Sequence, residues 1–71
     1  MNLGETIKGL RESIGKSQQK MADELGISKS AWNMYERGER IPRDKVKILI
    51  ADYFGMTVQE IFMRMSNTNS A

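Results

Sequence analysis

The chain has 71 residues, 28% of them charged and 39% hydrophobic, with a formal net charge of +2. That length makes one domain with a small core, because a chain near 60 residues buries only ~60% of its unfolded surface. There is no cysteine and no histidine, which excludes disulfide frameworks, zinc sites of ordinary type, cysteine nucleophiles and serine–histidine arrangements.

The N-terminus has no apolar stretch of signal-peptide length, and nothing approaches the ~20 apolar residues of a membrane span. The expectation is a soluble cytoplasmic protein without membrane contact. Charge is uneven along the chain. Residues 29–47 hold Lys29, Arg37, Arg40, Arg43, Lys45 and Lys47 against Glu36, Glu39 and Asp44. The remainder is slightly acidic. Excess positive charge of this kind suits a phosphate backbone, although a solvated surface would account for it on charge alone.

Leu3, Ile7, Leu10 and Ile14 place one apolar face on a first helix, ending at Gly15. Gly9 lies inside it, either to permit close packing or simply tolerated at ~1 kcal/mol relative to alanine. Ser17 is the N-cap of a second helix carrying Met21, Ala22 and Leu25. Gly26 closes that helix through a left-handed exit, and small Ala22 lets the next helix cross closely. Ile27 staples the turn, and Ser28 caps a third helix from Lys29 to Arg37. Ser17 with Lys20 three residues on can make only the serine half of a capping box. Two short helices joined so tightly form a helix-turn-helix, whose second helix enters the DNA major groove.

Gly38 to Pro42 reads as a loop, with Pro42 setting the start of a fourth helix. Val46, Leu49, Ile50, Tyr53 and Phe54 form its core stripe, and Gly55 ends it. Thr57 and Glu60 make a capping box opening a fifth helix, with Val58, Ile61, Phe62 and Met65 on one side. Residues 66–71 lack apolar periodicity and are expected to be a disordered tail after a domain of residues 1–65. No strand pattern appears, so the fold class is all-α with five short helices.

Over residues 3 to 63 the chain resembles the phage repressor and Cro type (XRE family) of helix-turn-helix domain, of lambda-repressor-like fold. The residues carrying the resemblance are Leu3-Gly4, Ile7-Lys8, Leu10-Arg11, Gly15-Lys16-Ser17-Gln18, Met21-Ala22 and Leu25-Gly26-Ile27-Ser28. It continues through Tyr35-Glu36-Arg37-Gly38, Arg40, Pro42, Ala51, Phe54-Gly55, Thr57 and Glu60-Ile61-Phe62.

The resemblance implies base contacts from Lys29, Ser30, Asn33 and Met34. Lysine donates to guanine, asparagine pairs with adenine, and methionine packs on a thymine methyl. It implies phosphate contacts from Gln18, at a helix N-terminus, and from Arg40 and Arg43 around the loop after the third helix, with Arg37 joining them. Each of these would otherwise be an ordinary exposed residue, or for Met34 a core edge. Lys45 and Lys47 are placed on the solvated face of the fourth helix. Arg11 and Glu36 match a charged pair tying the first helix to the end of the third. Ala22 and Gly26 are structural. Trp32 departs from the usual aliphatic residue and is assigned to the junction of helices two and three as a core anchor, a bulk that bears on how the recognition helix tilts.

The function so implied is a sequence-specific double-stranded-DNA-binding transcriptional regulator, a repressor, occupying a palindromic operator as a homodimer without cofactor or small-molecule ligand. The last helix and its loop, with Met63 off the core stripe, are the expected dimer surface. The chain is expected to be a stand-alone small regulator. The alternative is a protein-interaction adaptor or antitoxin-like partner that keeps the fold, which would show acidic or apolar residues in place of Gln18, Lys29, Arg40 and Arg43. An enzyme is not expected, because so small a core offers no room for a pocket around Glu36 or Asp52.

Overall fold

The computed structural model describes residues 3–63, with Met63 described by its backbone alone. Four α-helices follow one another: α1 (Leu3–Ser13), α2 (Gln18–Leu25), α3 (Lys29–Glu36) and α4 (Asp44–Tyr53). A π-helical segment, α5 (Gln59–Met63), ends the described chain. No strand occurs among the described residues, and the fold is all-α.

Short polar caps start α2, α3 and the turn into α5, whereas Arg43 stands at the start of α4 with no side-chain cap bond. Ser17 Oγ accepts from Lys20 N at 3.0 Å, Ser28 Oγ accepts from Ala31 N at 3.0 Å, and Thr57 and Glu60 bond reciprocally at 2.8 and 3.0 Å. Gly26 ends α2 at φ 74°, where the Ile27 N–H returns to Ala22 O at 3.0 Å. This left-handed exit reverses the chain within two residues and brings α3 across α2.

The core consists of Ile7, Met21, Ala22, Leu25, Trp32, Tyr35, Ile50, Ala51 and Ile61. α3 packs on α2 and α1, α2 also meets α4, and α1 meets α5. Trp32 is fully buried and is the largest such side chain.

Backbones approach closely at Gly4, where a Cβ would lie 2.3 Å from Glu36 O and 2.9 Å from Tyr35 O. The first turn of α1 therefore rests on the last turn of α3. At Gly9, by contrast, an added Cβ meets nothing within 4 Å, so of the two readings of that glycine the tolerated one holds. Gly9→Ala is expected to raise stability by about 0.5–1 kcal/mol, since alanine costs less backbone entropy in a helix. A higher urea midpoint at unchanged slope would show this, and an unchanged midpoint would contradict it.

Several sequence expectations need correction. Ile14 lies beyond the end of α1, in the turn at Gly15, and is 44% exposed. Leu49 is also exposed, together with Ile48, because α4 is turned so that Ile50 and Ala51 face inward. Leu49 then lies ~100° around the helix from the buried face. Lys47 is half-buried, its ammonium 5.6 Å from the centre of the Phe62 ring, and so leaves the solvated face assigned to it. Pro42 is buried and precedes the N-cap Arg43, so it stands outside α4 and does not begin it. α3 ends at Glu36 with Arg37 as its C-cap. Met65 and the tail 66–71 lie outside the described residues, as does the side chain of Met63.

Candidate nucleic-acid interface

The buried side of α3 is set by Trp32 and Tyr35. Helical spacing then puts Ser30, Asn33 and Met34 on the far side, with Lys29 at its flank in the first turn. Lys29 and Ser30 are exposed in the first turn, while Asn33 and Met34 are half-buried. Gln18, at the start of α2, joins Lys29, Ser30 and Asn33 in lining one shallow cleft. Two consecutive helices thus present four polar side chains together, and Met34 does not line that cleft.

Beneath the cleft is a carboxylate hub. Glu36 Oε2 accepts from Arg11 Nε at 2.6 Å and from the Trp32 indole Nε1, while Oε1 accepts from Arg11 Nη2 at 3.2 Å and Gln18 Nε2 at 2.9 Å. Arg11 also donates from Nη1 to Lys16 O at 2.7 Å. The Glu36 side chain is 3% exposed and that of Arg11 11%. Burial pushes the Glu36 carboxyl up, but hydrogen bonds from Arg11, Gln18 and Trp32, with the charge of Arg11, outweigh it and hold the carboxyl below the ordinary glutamate range. The Arg11 guanidinium is raised chiefly by its hydrogen bond to Glu36. Arg11 and Glu36 therefore meet as a bidentate pair, geometry that fixes α1 against α3.

The network continues outward. Asn33 Nδ2 donates to Gln18 Oε1 at 3.1 Å, and Arg37 Nη1 donates to Asn33 Oδ1 at 3.3 Å. Arg37 also pairs with Glu39 at 2.7 Å. Lys29, Ser30, Arg40 and Arg43 have side chains that make no hydrogen bond or ion pair among the described residues. Arg40 borders a second cleft, on the α1–α3 side, with Leu3, Gly4, Tyr35, Gly38 and Ile41. Arg43, exposed at the start of α4, lines neither cleft.

This is a pair of helices crossing at a tight turn, with one polar face turned outward that carries Lys29. The helix-turn-helix family model matches residues 7–61. The chain belongs to that family. The phage-repressor resemblance read from the sequence holds on the same ground. Among curated proteins, the chain is 36% identical over 61 residues to the cryptic phage CTXphi transcriptional repressor RstR of Vibrio cholerae serotype O1, covering 86% of this chain and 54% of that one. It is 39% identical over 54 residues to the SPbeta prophage-derived HTH-type transcriptional regulator YonR of Bacillus subtilis, covering 76% and 50%. It is 37% identical over 71 residues to the HTH-type transcriptional regulator AnsR of the same species, covering 100% and 60%. The chain thus spans about half to three-fifths of the length of these relatives. No solved structure matches it significantly.

Two parts of this helix-turn-helix site escaped sequence reasoning. The Trp32 indole bond to Glu36 was legible in principle, because positions four apart share a helix face. The Gln18–Asn33 link was not, since it depends on how α2 and α3 cross. No helix among the described residues is long and apolar enough to cross a membrane.

Proposed function

We propose that this helix-turn-helix domain is a sequence-specific double-stranded-DNA-binding transcriptional regulator, acting as a repressor in the cytoplasm. The observation that carries the reading is the polar cleft of Gln18, Lys29, Ser30 and Asn33 at the start of α3, with unpaired Lys29 and Ser30 inside it and unpaired Arg40 and Arg43 beyond it. A cation left unpaired on a rigid face is available to a phosphate or a base edge at no cost in broken ion pairs. The regulators and the phage repressor to which the chain is similar favour the same reading.

In this account α3 lies in the major groove. Lys29, Ser30, Asn33 and Met34 face base edges, while Gln18, Arg37, Arg40 and Arg43 hold the backbone. One such domain reads few base pairs, so two copies occupy a palindrome with half-sites about one turn (~34 Å) apart. The protein binds and excludes, and performs no catalysis.

Paired substitutions separate reading from positioning. Lys29→Ala is expected to cost about 1–3 kcal/mol on the preferred duplex and much less on random DNA. Arg43→Ala should weaken both duplexes alike and reduce the salt slope by about one phosphate's worth. Titrations across salt concentrations measure both effects, and identical behaviour of the two variants on both DNAs would contradict the division of roles.

A further inference from the structure

We infer that the outward face of α4 is where two copies of this chain pair, helix against antiparallel helix, about a two-fold axis passing between Ile48 and Leu49. The inference deepens the DNA reading above and rests on it for the palindrome that two joined copies occupy. Lys45, Ile48, Leu49 and Asp52 are all exposed, and their positions i, i+3, i+4 and i+7 put them in one stripe along the helix. Ile50 and Ala51, which hold α4 to the core, lie on its other side. At the middle of the stripe Ile48 is 52% and Leu49 39% exposed, an adjoining apolar pair that nothing in the chain covers among the described residues.

The charges at the two ends of the stripe say what covers it. Lys45 stands in the first turn of α4 and Asp52 in its last. Both sit at the wrong end for the helix dipole, which favours acids at the N-terminus and bases at the C-terminus. Neither side chain makes a hydrogen bond or ion pair among the described residues that would offset this. Within one chain, neither sign is compensated.

A second copy compensates both. Lys45 and Asp52 are centred on the same point as Ile48 and Leu49, so a two-fold axis at that point sets Lys45 of each copy against Asp52 of the other. It likewise sets Ile48 of each copy against Leu49 of the other. The stripe is therefore complementary to itself in the antiparallel sense, whereas a parallel pairing would oppose like charges at both ends. Lys45 and Asp52 are ~10.5 Å apart along the helix, and both ion pairs close at the ~8–10 Å separation of packed helices. So short a stripe falls well below the ~1,200 Å² that stable interfaces bury. Pairing is thus weak in free solution and is completed when one duplex holds both copies. None of the four residues lines the cleft of Gln18, Lys29, Ser30 and Asn33, which stays open to DNA.

Charge reversal tests this in a way that unfolding cannot imitate. Lys45→Glu and Asp52→Lys each turn both end contacts into repulsions, yet each should raise the urea midpoint slightly because it relieves the dipole. Sedimentation equilibrium without DNA should show concentration-dependent self-association of the wild-type protein, weakened about tenfold in either variant. An equimolar mixture of the two variants should recover it, since every end contact between unlike copies again joins opposite charges. On DNA, each variant alone should lose the advantage of a full palindrome over an isolated half-site, and the mixture should regain it. A wild-type protein that stays single at every concentration would overturn the inference. So would a mixture that associates no better than its components, or variants that associate as well as the wild type. Self-association of the wild type without preference among duplexes would overturn the DNA reading and leave the pairing standing.

Discussion

Glu36→Ala is expected to unfold the domain at room temperature. The substitution removes the acceptor of the Arg11 guanidinium, the Gln18 amide and the Trp32 indole at one stroke. Arg11 is 11% exposed, so its charge would stay largely buried with only the Lys16 carbonyl at 2.7 Å and the exposed Glu12 carboxylate at 3.9 Å left to it. Breaking such a pair costs about 3–5 kcal/mol, and a core in this size range supplies about the same in total. Loss of the cooperative urea transition followed by helical circular dichroism would show the collapse. A variant retaining most of the wild-type midpoint would mean that the hub is incidental.

The same carboxylate gives the domain an acid-side weakness. The folded-state pKa of Glu36 is depressed, so its contribution is complete above the unfolded glutamate value of about 4.3 and fades as pH falls through the lower folded value. The urea midpoint should therefore decline on acidification from about pH 5. Stability indifferent to acid would contradict the hydrogen-bonded hub.

Gly4→Ala carries the second large effect. The added methyl would enter at 2.3 Å from the Glu36 carbonyl oxygen and 2.8 Å from its carbon. Both are backbone atoms, which cannot move aside as the end of a flexible side chain can. Relief requires lifting α1 off the end of α3, and with it Arg11 from Glu36. A loss of about 3 kcal/mol, the upper part of the overpacking range, is the expected result. Set beside the stabilising Gly9→Ala, it makes an internal comparison within one helix. If the two variants shift the urea midpoint in the same direction, the α1–α3 contact is not as close as described.

These two glycines show how far the sequence could be read. Helix starts were legible at Ser17, Ser28 and Thr57, because capping is a matter of a few neighbouring residues. The exit at Gly26 was legible for the same reason. The inward turn of α4 was not, since Leu49 and Ala51 differ in burial according to which neighbour the helix meets, and apolar spacing alone favours the larger side chain. Gly4 and Gly9 are alike in sequence and opposite in the fold, because only the approach of α3 distinguishes them. At the site, the residues of the outward face of α3 came from the family resemblance. Their cross-linking through Gln18 did not, since that bond joins positions fifteen apart and forms only once α2 and α3 have crossed.

The central claim is that the face of α3 reads DNA, and selection from a random duplex library at ~150 mM salt, where non-specific binding is weak, tests it most directly. The account predicts enrichment of a palindrome whose half-sites lie about one helical turn apart. Recovery of no motif, with no binding even at low salt, would contradict it and leave the outward face of α3 to a protein partner.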